Sequence, residues 1–289
     1  MNSKNPVSKL LYAQKINMGG LMVRQPFPTQ QIEQIDPFLL LHHANTKFNP
    51  DGNPEKQGVG PHPHRGFSPV TFVYHGGIRH RDSRENDSTI YAGGTQWMNA
   101  GRGIIHSERP ASDISAHGNR IEIIQLWINN PARHKMDQPE YQTITKEETP
   151  LKELDQGKVL VQVVAGSYQN LTGPINTLFP LQALRISGKK SGKLILTLPP
   201  QENSFLYLLN GKIRITGFGI IEAFNAVIPE PEADQFEIEI LEAANLLFLS
   251  APPLNEPLAI HGPFVMNDQT GILKAFRDYQ MGKMGVLIE

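Results

Sequence analysis

Apolar residues along this chain alternate with polar ones in short runs, and the runs end at glycine, proline or asparagine. Residues 69–74 (PVTFVY) lead into His75-Gly76-Gly77, the signature of a strand entering a glycine turn. Residues 121–128 (IEIIQLWI) form a second β-prone run. The second half keeps this character in 158–165 (KVLVQVVA), 193–198 (KLILTL) and 204–209 (SFLYLL), and Asn210-Gly211 predicts a hairpin into 212–215. One segment has a helical period instead. Asn267 or Asp268 can cap a helix with Ile272, Leu273, Phe276 and Tyr279 as its apolar face and Gly282 as its stop. The pattern predicts an all-β chain of two small sandwiches or barrels with a short C-terminal helix.

Between the two β-rich halves, residues 129–139 are polar, basic and proline-bearing, which suits a link between domains 1–140 and 141–289. Composition agrees with two domains. The chain has 289 residues at 39% hydrophobic content, with 25 glycines and 23 prolines to make tight turns between short strands. A net charge of -1 gives no electrostatic footprint for direct contact with nucleic acid or an anionic membrane. No apolar run approaches the roughly 18 residues of a membrane span, and the N-terminal residues carry no signal-type apolar core, so a cytoplasmic protein is expected. With no cysteine, any metal must be held by His, Asp, Glu or backbone oxygen.

Two groups of residues carry chemistry. His62-Pro63-His64 places two imidazoles at i and i+2, on one side of an extended chain, and the proline stiffens the pair. His106-Ser107-Glu108 repeats that spacing with an imidazole and a carboxylate. Gly58 and Gly60 precede the first pair and Gly101-Arg102-Gly103 the second, so each follows a site for a sharp bend. Two such pairs on neighbouring strands bring four side chains to one point in a barrel. Imidazole suits iron, copper, nickel, manganese or zinc, and a carboxylate shifts preference towards the harder ions. Three histidines and one glutamate leave two positions open on an octahedral ion, which marks a reactive centre rather than a closed structural one.

At these residues the chain resembles the pirin family of bicupins. The resemblance is carried by Pro61-His62-Pro63-His64-Arg65-Gly66-Phe67, His80-Arg81-Asp82-Ser83, Gln96-Trp97-Met98 and the run from Ala100 to Glu108. It continues through Leu126-Trp127-Ile128-Asn129 and Pro139-Glu140-Tyr141-Gln142 in the link, then Pro253-Leu254-Asn255-Glu256-Pro257, His261-Gly262-Pro263-Phe264 and Arg277-Asp278-Tyr279-Gln280 near the end. The resemblance implies two cupin (jelly-roll-type) β-barrels, a single divalent ion that is usually Fe(II), and His62, His64, His106 and Glu108 as its ligands. It implies one of two activities. The first is quercetin 2,3-dioxygenase chemistry, in which a phenolic substrate and dioxygen react with ring cleavage and Glu108 serves as both ligand and general base. The second is redox-sensitive co-regulation of transcription through a protein partner.

The chain departs from the family pattern at Ser68, where a glutamate is usual, and at His42-His43-Ala44, where many members read Asp-Glu-Phe. Solvent-facing or hydrogen-bonded roles are the expectation for His42 and His43, with extra ligation as the alternative. His75, His80, His117 and His134 are expected at turns or on the surface, and Arg65 and Arg102 either behind the site or anchoring loop backbone. With His261 as its one histidine, the C-terminal barrel is expected to be metal-free.

Overall fold

The computed structural model describes residues 5–289. The described residues are all-β with one α-helix and divide into two units. One comprises Asn17–Val23, Phe38–Lys146 and Leu254–Glu289; the other comprises the described residues up to Ile16, Arg24–Pro37 and Glu147–Pro253. No helix among the described residues is long and apolar enough to cross a membrane.

The first unit holds both candidate pairs. Its strands are β1 (Phe38–Lys47), β2 (Val59–His64), β3 (Phe67–His75), β4 (Gly77–Asp82), β5 (Asp87–Tyr91), β6 (Thr95–Asn99), β7 (Ile104–Pro110), β8 (Arg120–Asn129) and β9 (Glu140–Ile144). They form two antiparallel sheets. The smaller runs β2-β7-β4-β5; the larger runs β9-β6-β3-β8-β1 and continues through the hairpin strands Leu21–Gln25 and Gln14–Met18. The 69–74 run falls within β3, whose first seven residues are all buried, as a strand covered on both faces requires. The 121–128 run falls within β8, where Ile121, Ile123, Leu126 and Ile128 are buried.

The helix α1 spans Gln269–Gln280, and the Asp268 carboxylate caps it by accepting from the Gly271 N–H at 2.7 Å. Its buried stripe differs from the expected one: Ile272 and Ala275 are buried, while Leu273 is 70% exposed. The helix also belongs with the histidine pairs and not with residues 147–253. Phe264, Ile272, Ala275 and Met284 form one apolar cluster with Ile105 of β7, and burying that shared surface draws the C-terminal segment into the first unit. The chain leaves this unit at Lys146–Glu147, and the proline-bearing 129–139 stretch, expected as the link, lies within it beside β9.

In the second unit one nine-stranded sheet surrounds a core that includes Val161, Val163, Leu184, Ile186, Leu206, Ile213, Phe236 and Phe248. Asn210-Gly211 does not make the expected hairpin. Residues Asn203–Ile215 form one strand paired along its length with Gln235–Ala251, and the register slips on either side of Asn210. A Cβ on Gly211, whose φ is +81°, would lie 2.2 Å from the Ala243 carbonyl oxygen, so the glycine builds a bulge against its neighbour.

Candidate metal centre

Register places the two pairs. In the β2/β7 ladder His106 lies opposite His62, and on its other side, in the β7/β4 ladder, it faces Asp82. His62 and His64 share one side of β2 through the period of two. Their rings therefore close on His106, with centroids 4.3 Å from His62 to His106, 4.9 Å from His64 to His106 and 4.7 Å between His62 and His64. One nitrogen from each of the three lies within 4.8 Å of the other two. Among the described residues this is the only group of three or more His, Asp or Glu side chains spaced to hold an ion.

The ring nitrogens are assigned by their partners. His62 Nδ1–H donates to the Gly60 carbonyl at 2.8 Å, and His64 Nδ1 faces the Pro263 carbonyl at 3.4 Å. His106 Nδ1 faces His80 Nδ1 at 3.3 Å, and His80 Nε2 reaches an Asp82 carboxylate oxygen at 2.9 Å. His106 Nε2 is buried without a hydrogen-bond partner. An orphaned buried nitrogen in a cluster of imidazoles is costly unless something binds it. Burial, followed by the neighbouring histidines, holds His64 and His106 well below the ordinary imidazole range. Both are thus neutral near pH 7, as a metal ligand must be. Burial pushes the Asp82 acid up, but bonds from His80, Asn86 and the Arg84 N–H outweigh it and leave the group below its usual range. The donor set fits a transition ion.

Glu108 stands outside the three-histidine group. Its carboxylate crosses to the larger sheet, where Oε1 accepts from Thr71 Oγ1 at 3.0 Å and Gln96 Nε2 at 2.8 Å, and Oε2 from Gln125 Nε2 at 2.6 Å. Those donors come from one row: Gln96, Thr71, Gln125 and His42 are successive cross-strand partners on β6, β3, β8 and β1. A one-residue slip in the β2/β7 ladder between His106 and Glu108 accompanies this divergence. Gly58 sits at the slip with φ +81°, and a Cβ there would lie 2.6 Å from the Glu108 carbonyl oxygen.

Glu108, Gln125 and His42 line a cavity otherwise walled by Met18, Leu21, Val23, Ala44, Phe48, Val59 and Ile123 among others. Burial lowers the His42 pKa to about 4, so this polar contact is a neutral imidazole near pH 7. His43 instead pairs with Glu122 at 3.1 Å, away from the cluster. Ser68 donates to Asn130 Oδ1 at 2.8 Å in a buried chain that continues to Asn99, and lines no part of the cavity. Arg65 anchors loop backbone, donating to the Arg102 carbonyl at 2.7 Å, and pairs with Asp278 in the last turn of α1 at 3.1 Å. His75 reaches across to the His117 carbonyl, 42 residues along the chain, and His134 pairs with Asp137 three residues on. His80 breaks the expectation of a turn or surface role. It is 1% exposed and stands directly behind His106.

Sequence reasoning passed over Thr71, Gln96 and Gln125. The signal was present at Thr71, which interrupts an otherwise apolar run, and a buried polar side chain there requires a partner. On the outer side of β7, the Ser107 hydroxyl donates to the Glu289 carboxylate, which also pairs with Arg109 at 2.6 Å.

The family model described as Pirin matches residues 20–128, and that described as the Pirin C-terminal cupin domain matches 183–285. A pirin-like protein of Caulobacter vibrioides is 34% identical over 96% of this chain and 98% of its own length. Human Pirin is 31% identical over 98% of this chain and 95% of its own. A crystal structure of quercetin 2,3-dioxygenase from Acinetobacter baumannii superposes with a TM-score of 0.91 at 33% identity, covering 99% of this chain and all of that one. With two cupin domains and these relatives, the chain belongs to the pirin family.

Proposed function

We propose that this chain is a metal-dependent dioxygenase that cleaves the ring of flavonol or related phenolic substrates, with Fe(II) held by His62, His64, His106 and Glu108. The observation that carries the reading is the buried, unpartnered Nε2 of His106 within the three-histidine cluster. The 33% identity to the Acinetobacter protein named as a quercetin 2,3-dioxygenase supports the reaction class. A bound ion of this type supplies Lewis acidity towards a phenol oxygen and a redox couple for dioxygen.

The rest is done by the chain's own groups. His62, His64 and His106 present nitrogen lone pairs, because their other ring nitrogens are committed to Gly60, Pro263 and His80. An ionised carboxylate has about four acceptor positions. Glu108 uses three on Thr71, Gln96 and Gln125, and one remains for the site. Glu108 also lines the cavity and would hold the proton released from a phenolic hydroxyl. The apolar walls favour an aromatic ring and exclude water. The cavity measures about 50 Å³, which suits dioxygen.

Metal analysis of the purified protein, followed by oxygen uptake with a panel of flavonols and catechols, tests the reading. Iron together with metal-dependent uptake is the expected result. Iron without uptake on any phenol would overturn the enzymatic assignment and leave redox-dependent binding of a protein partner as the role of the site.

A further inference from the structure

We propose that Asp82 and His80 are positioning residues that set the tautomer of His106, and so determine whether that residue offers the site a lone pair or a proton. The inference rests on the metal-site reading above and concerns residues on β4, outside the proposed ligand set.

The chain of bonds begins at a turn. Asp82 Oδ1 accepts the Arg84 N–H at 2.8 Å and the Asn86 N–H at 3.2 Å, and Oδ2 accepts Asn86 Nδ2 at 2.8 Å. Every neighbour is a donor, so the carboxylate acts only as an acceptor, and His80 must place its proton on Nε2 to complete the 2.9 Å bond. With its single ring proton on Nε2, His80 carries a lone pair on Nδ1. That atom faces His106 Nδ1 at 3.3 Å, and one of the two must donate, so His106 holds its proton on Nδ1. The remaining nitrogen, His106 Nε2, is left with its lone pair, and it is the buried atom that lacks a partner within the protein.

His80 has little freedom to escape this arrangement. Its ring is 1% exposed and lies face to face with Tyr141, centroids 4.0 Å apart and planes at 10°. The opposite assignment would put the His80 proton on Nδ1 and the His106 proton on Nε2. It would set the Asp82 Oδ2 against an imidazole lone pair, with the loss of the His80 donor, and close His106 to an ion. A turn at the end of β4 thus selects the open form, in the manner by which carboxylate partners orient metal-bound histidines.

Asp82→Asn tests this. The two backbone N–H groups of the turn keep the amide oxygen at the Oδ1 position, so the amide nitrogen faces His80 and donates where the carboxylate accepted; the Asn86 amide rotates to accept. Long-range nitrogen–proton correlation spectra of the metal-free protein read the tautomers directly. The wild type is expected to show His80 protonated on Nε2 and His106 on Nδ1, with both reversed in Asp82→Asn. Zinc affinity, measured by chelator competition, is expected to fall about 10- to 100-fold in the variant. His80→Phe keeps the stack on Tyr141 but removes the acceptor. It is expected to show a mixture of His106 tautomers and weaker zinc binding, and it serves where Asp82→Asn does not fold.

His106 protonated on Nε2 in the wild type, unchanged tautomers in Asp82→Asn, or reversed tautomers with unchanged zinc affinity would each overturn the proposal. Wild-type protein with the expected tautomers but no zinc binding would instead overturn the metal-site reading.

Discussion

Tyr141 joins the two halves of the site through His80. Its ring stacks on the imidazole behind His106, while its hydroxyl donates to Gln96 Oε1 at 3.1 Å and meets Ser88 Oγ at 2.8 Å. Because the Gln96 oxygen is taken by Tyr141, its NH2 group turns towards Glu108. Burial raises the Tyr141 pKa, so the hydroxyl remains a donor throughout the useful pH range. Tyr141→Phe preserves the stack and removes the donor. We expect a loss of about 1–2 kcal/mol in urea unfolding, from one buried acceptor left unmatched. Metal affinity should fall less than in His80→Phe, because the His106 arm stays intact. An equal or larger fall would place control of the site on the Glu108 arm.

Thr71→Val is nearly isosteric and removes one of three donors to Glu108. A hydrogen bond to a charged group contributes about 1.5–3 kcal/mol, and that is the expected destabilisation of the metal-free protein. The freed acceptor position can be taken by an ion. Added divalent metal should therefore stabilise the variant more than the wild type, measured as the shift in urea midpoint at fixed metal concentration. Equal shifts would show that the Oε1 position held by Thr71 is not one the ion uses.

Much of this organisation was legible in the sequence. The i, i+2 pairs at His62/His64 and His106/Glu108 fix which side chains share a strand face, and a period of two survives any detail of packing. Which strands are neighbours is set by long-range pairing, and that is where the reading fell short. His80 stands 26 residues before His106, and nothing local distinguishes it from a turn histidine. Glu108 diverges from the histidines because the β2/β7 register slips beside it, and a bulge cannot be located from one strand alone. Asn210-Gly211 failed for the same reason: a dipeptide suited to positive φ serves a bulge as well as a turn.

His42 gives a pH dependence that can be isolated. Its folded pKa of about 4 lies below the ordinary 6.5, because burial penalises the imidazolium. The unfolded chain therefore binds more protons between those values, and stability rises with pH across that window. The contribution is fully present above pH 6.5 and is lost as pH falls through 4. The shift corresponds to at most about 3 kcal/mol. His42→Leu should flatten the difference in unfolding free energy between pH 7 and pH 4.5 relative to wild type. An unchanged pH profile would mean that the imidazole is hydrated in solution.

Gly58→Ala tests the backbone at the point where the two proposed ligands of β7 diverge. The residue has φ +81°, and the new methyl group would lie 2.6 Å from the Glu108 carbonyl oxygen, 3.2 Å from the Arg109 Cα and 3.2 Å from Pro110. All three contacts involve main chain or a proline ring, so no flexible side chain can yield. The left-handed conformation alone costs a non-glycine residue on the order of 1 kcal/mol, and relief of the contact requires β7 to move away from β2. That movement separates His106 from His62, its partner in the ladder. The expected outcome is a thermal midpoint lowered by several degrees and a metal content well below that of the wild type. Gly262→Ala provides the control: it also has positive φ, at +55°, but its methyl group meets nothing within 4 Å. It should lose comparable strain energy and keep its metal, and equal metal loss in both variants would dissociate the Gly58 contact from the geometry of the site.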